Sequence, residues 1–191
     1  MRFAEFFIIF VIVVIIVSYV RNMYGEVEFV TSKVDNREYL MRRLPDRQTA
    51  ADLLARINVK LSRLVHHLVA KYGISHSNKL VKMLYDNYNP DSLSEGGVEL
   101  GYTSYSVNKG EKIVLCLRQK DKTLVDENVL MYVAIHELGH LATDEVGHTK
   151  KFWDNFKWIL EEAIGIGIYK KVDFSTDPQS YCGISISSSI V

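Results

Sequence analysis

The sequence predicts an α+β fold, in which a small antiparallel sheet packs on one helix and its flanking helices, plus one N-terminal transmembrane helix. Three observations lead to this prediction. Residues 3–20 form an apolar run, residues 46–73 and 126–141 carry apolar side chains at helical spacing, and residues 101–118 hold two short stretches typical of strands. A chain of 191 residues has room for one domain and one appendage.

The N-terminal apolar run predicts a membrane anchor. Its 18 residues contain one charge, Glu5, and a helix of that length spans about 27 Å, close to the roughly 30 Å of a bilayer core. It lacks the small-residue cleavage site of a signal peptide, and it is apolar on every face, unlike an amphipathic core helix. We therefore expect residues 1–21 to be a transmembrane anchor that meets the lipid bilayer through residues 3–20. The protein would then be a single-pass membrane protein of undetermined orientation.

The rest of the chain divides into a predicted juxtamembrane linker, residues 22–45, and a folded domain, residues 46–191. In the domain, Asp46 is expected to cap a long helix that ends at Gly73. Apolar residues at three- and four-residue steps indicate one buried face of that helix: Ala50, Leu53, Leu54, Ile57, Leu61, Leu64, Val65 and Leu68.

Shorter elements follow along the domain. We expect a helix at residues 78–87, a Ser/Gly-rich loop at residues 92–97, and strands near residues 101–107 and 112–118. The turn Asn108-Lys109-Gly110 joins the two strands as a hairpin. A further helix is expected from Thr149 to about residue 163. The sequence does not indicate which strand forms the edge of the sheet.

The most informative motif is His136-Glu137-Leu138-Gly139-His140, which lies within a predicted helix that begins near Asp126. Residues four apart share one face of a helix, so His136 and His140 can bind one Zn²⁺ ion. Glu137 beside them is then placed to act as the general base on a water activated by the metal. This is the zincin-like arrangement, and the helix is the predicted active-site helix. Gly139 is expected to leave room beside the metal.

A catalytic zinc site needs a third protein ligand, and His148 is the leading candidate. Gly147 before it lets the chain turn back sharply toward the metal. Asp144 and Glu145 remain alternatives, since carboxylates also bind zinc. Three other histidines, His66, His67 and His76, are expected to be structural or solvated.

Taken together, these motifs resemble those of the WLM-type metallopeptidases, relatives of the SprT-like proteases that act on DNA–protein crosslinks. The similar segments are the Asn-x-Gly turn and strand at residues 108–118, the His-Glu-x-x-His motif, and Gly147-His148-x-x-x-Phe152-Trp153. The resemblance covers residues 78–165. It implies a zinc-dependent endopeptidase with His136, His140 and His148 as ligands and Glu137 as base. Small proteins of this kind also occur in large DNA viruses.

We therefore expect a membrane-anchored zinc endopeptidase acting on a protein or peptide substrate. The alternative is a non-enzymatic, membrane-tethered structural protein, for instance a minor capsid component, so a part in virion or membrane assembly stays open. The 23 basic and 23 acidic residues balance, and a neutral chain lacks the charge of a nucleic-acid binder. We expect no direct contact with nucleic acid.

Two further hypotheses concern the C-terminal region. Cys182 can pair with Cys116 if the domain faces an oxidising compartment; the sequence leaves the pairing open. Tyr181 is a candidate to lie near the zinc and stabilise an oxyanion.

Overall fold

The computed structural model describes residues 3–24, 26–75, 78–96 and 103–191. Within these ranges the chain forms helices and strands in an α+β arrangement, as predicted. The helices are α1 (Phe3–Tyr24), α2 (Arg47–Tyr72), α3 (Lys79–Asn87), α4 (Glu127–Leu141) and α5 (Lys150–Gly165). The strands are β1 (Val27–Thr31), β2 (Glu38–Arg42), β3 (Leu93–Gly96), β4 (Ser104–Val107), β5 (Lys112–Cys116), β6 (Gln179–Tyr181) and β7 (Ile184–Ile186).

The main sheet is mixed rather than antiparallel, which corrects the prediction. Its order is β1-β2-β3-β5-β4. β1 pairs with β2 and β4 with β5 in antiparallel fashion, but β3 runs parallel to both of its neighbours. Parallel strands need a long crossover, and α2 and α3 supply it between β2 and β3. β6 and β7 form a separate antiparallel hairpin.

The prediction of a membrane anchor is wrong. In the part of the chain that the structure describes, no helix is long and apolar enough to cross a membrane. The expected single-pass membrane localisation, and the bilayer contact through residues 3–20, are withdrawn with it. Residues 1 and 2 of that segment lie outside the described residues.

The segment predicted as a linker, residues 22–45, contains two strands. β1 and β2 pair along their whole length, from Val27 opposite Arg42 to Thr31 opposite Glu38. Tyr39 and Met41 of β2 point into the core and are buried. The folded unit therefore reaches back to β1. Two strands of five residues, only partly apolar, gave a periodic signal too short to recognise in the sequence.

The long helix α2 packs its apolar stripe into the core as predicted. Leu54, Ile57, Leu61, Leu64 and Leu68 are fully buried, and the helix ends at Gly73, whose φ is 74°. This face packs against the sheet and against α4, which fixes α4 in the centre of the domain.

The N-terminus of α2 is held by a buried charge cluster rather than by a cap. Asp46 precedes the helix, but its side chain makes no capping hydrogen bond. It accepts instead from Arg118 Nη1 at 2.6 Å, while Arg118 Nε donates to Glu95 at 2.7 Å. The other Glu95 oxygen accepts from the backbone N–H of Arg42 at 2.8 Å. The cluster ties α2, β2, β3 and the segment after β5 together.

Candidate metal centre

Three of the candidate site residues lie on α4, near its C-terminal end. The helix begins at a cap formed by Asp126, whose carboxylate accepts from the N–H groups of Asn128 and Val129 at 2.9 and 3.1 Å. His136, Glu137 and His140 then follow within its last two turns. Because most of α4 is buried, the backbone that carries these side chains is fixed by the core.

His148 reaches the same place from the loop that joins α4 to α5. Gly147 before it has a φ of 82°, a conformation that glycine adopts without steric penalty. Thr149 after it caps α5 by accepting from the N–H of Phe152 at 3.3 Å. His148 is therefore fixed between a sharp turn and the start of a helix.

The structure brings His136, His140 and His148 together. Their ring centroids lie 4.9–5.0 Å apart, and Nε2 of His148 is 2.9 Å from Nε2 of His136. Each residue offers one nitrogen within 4.8 Å of the other two. Zinc binds imidazole nitrogens at about 2.0–2.1 Å, so the three histidines are close enough to share one ion. Among the described residues, these three histidines form a group of side chains that could hold one metal ion.

Aromatic side chains of α5 pack against the histidines. Phe152 stacks on His140 with centroids 4.3 Å apart, and Trp153 stacks on His148 at 5.4 Å. A Cβ on Gly139 would lie 3.0 Å from the Phe152 ring and 3.3 Å from Phe156. Gly139 thus makes room for α5 against α4, rather than for the metal itself as the sequence suggested.

The electrostatics of the site favour neutral imidazoles and a protonatable carboxylate. Burial, together with the neighbouring His140 and His148, lowers the pKa of His136 to about 3. Burial, together with His148 and Lys109, lowers the pKa of His140 to about 4. Neutral imidazole is the form that binds metals. Burial raises the pKa of Glu137 to about 7, against a smaller lowering by the Ser106 hydroxyl. Glu137 is 4% exposed, and its Oε2 has no hydrogen-bond partner among the described residues.

The two carboxylates considered as alternatives to His148 do not belong to the metal-binding group. Asp144 pairs with Lys79 and Lys151, each at 2.5 Å, and these contacts lower its pKa, with the hydrogen bond from Lys151 as the largest cause. Glu145 is exposed, and it is not in the metal-binding group. Of the remaining histidines, His67 pairs with Glu162 at 3.1 Å and His66 is exposed. His76 lies outside the described residues.

The histidines lie in a cleft of about 1050 Å³. One wall is β4 with the preceding Thr103, and the other is the C-terminal segment 184–190. Among the described strands β4 is an edge of the main sheet, which answers the question that the sequence left open. No motif or periodicity predicted that segment 184–190 forms a wall, because three isoleucines among serines are too weak a pattern.

The C-terminal wall is attached to the sheet at Tyr181 and Cys182. Cys182 forms a disulfide with Cys116 of β5, which settles the pairing that the sequence left open. The Tyr181 hydroxyl lies 2.6 Å from Oγ of Ser104, and that Oγ accepts from the N–H of Cys116 at 3.1 Å. Tyr181 is 1% exposed, and its hydroxyl joins the wall to β4. Tyr181 also lines the cleft that holds the histidines, and its role as an oxyanion donor stays a prediction.

Comparison with known proteins gives matches over most of the chain. Residues 32–186 match the WLM domain. Protein R325 of Acanthamoeba polyphaga mimivirus is 34% identical over 176 residues, which cover 87% of this chain and 86% of that protein. Protein 136R of Invertebrate iridescent virus 6 is 35% identical over 99 residues, covering 49% of this chain and 53% of that protein. The crystal structure of Wss1 from Saccharomyces cerevisiae aligns with a TM-score of 0.48 at 21% identity, over 64% of this chain and 83% of that chain.

Proposed function

The chain belongs to the WLM domain family, as its motifs predicted, and from this membership and the three-histidine centre we propose that it is a zinc-dependent endopeptidase. The family is metallopeptidase-like and zinc-dependent. One observation carries the proposal for this chain: three histidines converge in an open cleft beside a buried carboxylate oxygen that has no hydrogen-bond partner in the described part of the chain. A purely structural zinc site would be closed by a fourth protein ligand.

Each residue of the centre has a distinct part in the proposed reaction. His136, His140 and His148 hold the zinc ion through neutral imidazoles. The bound ion supplies a Lewis acid that polarises the scissile carbonyl and lowers the pKa of water. Glu137 accepts the proton of the attacking water and passes it to the leaving amine. Its raised pKa, about 7 in the metal-free chain, makes the carboxylate a stronger base than an exposed glutamate.

The substrate is proposed to be an extended segment of protein or peptide. β4 is paired with β5 on one side only among the described strands, so its other edge offers backbone groups to an added strand. The cleft beside it has a volume of about 1050 Å³ and is walled by segment 184–190. Pairing with β4 would carry the peptide backbone past Glu137, since Ser106 of β4 contacts that carboxylate.

The test is cleavage of an unstructured protein by the full chain. We expect cleavage with zinc present, its loss on chelation, and its return when zinc is added back. A His140→Ala variant, purified in parallel, should bind no zinc and cleave nothing, because it lacks a ligand on the central helix. This variant also controls for contaminating peptidases.

Two results would count against the proposal. Cleavage that persists after chelation, or in His140→Ala, would show that the activity does not depend on this centre. One tightly bound zinc ion per chain without any cleavage would favour the non-enzymatic alternative instead.

A further inference from the structure

The side chain of Lys109 holds the segment that joins the two halves of the metal centre. Lys109 lies in the turn between β4 and β5, and its Nζ donates to three backbone carbonyls. The acceptors are His140 O at 3.4 Å, Thr143 O at 2.5 Å and Glu145 O at 2.8 Å. The first belongs to a candidate ligand on α4, and the last lies three residues before His148. One ammonium group therefore bridges the end of α4 and the loop that returns to the site.

A helix leaves its last four carbonyls without intrahelical partners, and each of those on α4 has a specific partner. Leu138 O accepts from the N–H of Ala142, Gly139 O from the Thr143 hydroxyl, and Leu141 O from the Asn87 amide. His140 O accepts a hydrogen bond from Lys109 Nζ. A lysine at a helix C-terminus also meets the negative end of the helix dipole. The contacts of Lys109 thus combine hydrogen bonding and charge at the helix end that carries a metal ligand.

The turn that carries Lys109 is itself fixed against α3. Gly110 has a φ of 112°, and a Cβ at that position would lie 2.2 Å from the backbone oxygen of Asn87. Lys109 has a φ of 57°, a conformation uncommon for residues other than glycine, asparagine and aspartate. The backbone there would suit a glycine at least as well. The backbone conformation therefore gives no reason for a lysine at this position, whereas the hydrogen bonds of its side chain do.

We propose that Lys109 is a positioning residue for the metal centre, one that holds loop 142–147 so that His148 is placed against His136 and His140. Lys109 does not bind the metal; it acts through the three carbonyls. This inference rests on the proposed function, because it assumes that the three histidines bind zinc.

The charge of Lys109 also has an effect on zinc affinity that opposes positioning. A positive charge near the centre repels a divalent cation, and Lys109 contributes to the lowered pKa of His140. If repulsion dominated, removing the charge would tighten zinc binding. Three carbonyl oxygens accept hydrogen bonds from the ammonium group, and their partial negative charges weaken its field at the metal centre, so we expect positioning to dominate.

The experiment measures zinc affinity by competition with a chromophoric chelator, using the full chain. Lys109→Met removes the positive charge and the N–H donors. Lys109→Gly removes them too, with a residue that adopts the positive φ of the turn without strain. Lys109→Arg keeps the charge and the donors. The matched control is Lys112→Met, an exposed lysine on the same hairpin. The urea midpoint of each metal-free variant is measured alongside, so that a loss of global stability is seen separately.

We expect Lys109→Met and Lys109→Gly to bind zinc about 10–100-fold more weakly, the usual effect of removing a group that orients metal ligands. Lys109→Arg should recover part of the loss, and Lys112→Met should match the wild type. The urea midpoint of metal-free Lys109→Gly should stay close to the wild-type value. If the methionine variant fails to fold, the glycine variant still decides.

Zinc affinity in Lys109→Gly within about twofold of the wild type, or tighter than it, would overturn the inference while leaving the zinc site intact. A wild-type chain that binds no zinc would instead overturn the proposed function, and the inference with it.

Discussion

His148 differs from the other candidate ligands because helical spacing does not place it. Spacing of four residues on α4 was enough to predict that His136 and His140 share a face. The return of His148 depends on a positive φ at Gly147, on the cap at Thr149 and on contacts from Lys109. The sequence could therefore rank His148 above Asp144 and Glu145 but could not exclude them.

The choice among these residues can be tested by substitution. We expect His148→Ala to lower zinc affinity strongly, because it removes one of three ligands. Asp144→Asn should keep zinc, since that carboxylate pairs with Lys79 and Lys151 instead. Equilibrium dialysis with zinc measures both. Loss of zinc in Asp144→Asn with retention in His148→Ala would reverse the assignment.

A second test at the scale of the residue concerns pH and Glu162, outside the cleft. Burial raises the pKa of this carboxylate, but hydrogen bonds from Tyr72, Lys71 and His67 outweigh burial and lower it below 4.5. A lowered folded-state pKa stabilises the fold above the unfolded value and ceases to do so as the pH falls through the folded value. At neutral pH, Glu162→Gln should therefore lower the free energy of unfolding by roughly 1–3 kcal/mol.

The difference between wild type and Glu162→Gln should shrink as the pH falls below about 4. Urea unfolding at a series of pH values measures it. Glu161→Gln is the matched control, because Glu161 is exposed and lies 4.0 Å from its partner Lys157. A difference that is constant across the pH range would contradict the assigned role of Glu162.

At the scale of elements, long periodic segments were predictable and strand pairing was not. The apolar stripes on α2 and α4 each repeat over several turns, so their burial followed from the sequence. β3 was expected to be a loop, because Leu93–Gly96 is short and contains serine, glutamate and glycine. It becomes a central strand because Glu95 is neutralised by Arg118 and β2 and β5 supply backbone partners on both sides. These are long-range contacts that local patterns do not encode.

The buried charge cluster gives a prediction at this scale. Arg118→Met should lower the free energy of unfolding by about 3–5 kcal/mol, because it leaves the buried Glu95 carboxylate without its counter-charge. Arg47→Met is the control, since its partner Glu28 and Arg47 itself are partly exposed and such pairs contribute about 0–1 kcal/mol. Urea unfolding compares the two. Equal losses would show that the cluster does not hold the elements together.

At the scale of the whole molecule, the disulfide joins the main sheet to the C-terminal part of the chain. It links β5 to the C-terminal hairpin across a separation of 66 residues, and the segment after it forms one wall of the cleft. Ser189 holds the far end of that wall by accepting from the N–H of Phe174 at 2.7 Å. The arrangement of this wall was not predictable, because it depends on pairing between distant parts of the chain.

We expect loss of the disulfide to destabilise the domain and loosen that wall. Cys182→Ser should lower the free energy of unfolding by roughly 2–5 kcal/mol. It should also raise KM more than it lowers kcat, because segment 184–190 lines the proposed substrate cleft, while the three histidines stay on α4 and its loop. Urea unfolding and cleavage kinetics measure the two effects. An unchanged KM would show that the C-terminal segment does not shape the substrate cleft.

The proposed role of Glu137 is tested by comparing Glu137→Gln with the wild type, for zinc content and for cleavage rate, after identical purification. The substitution keeps the three histidines and nearly the same shape, and it removes the proton acceptor. We expect one zinc ion per chain in both proteins and cleavage about 10²–10⁴-fold slower in the variant. Full cleavage by Glu137→Gln with zinc retained would contradict the role of Glu137 and the account of the site built around it.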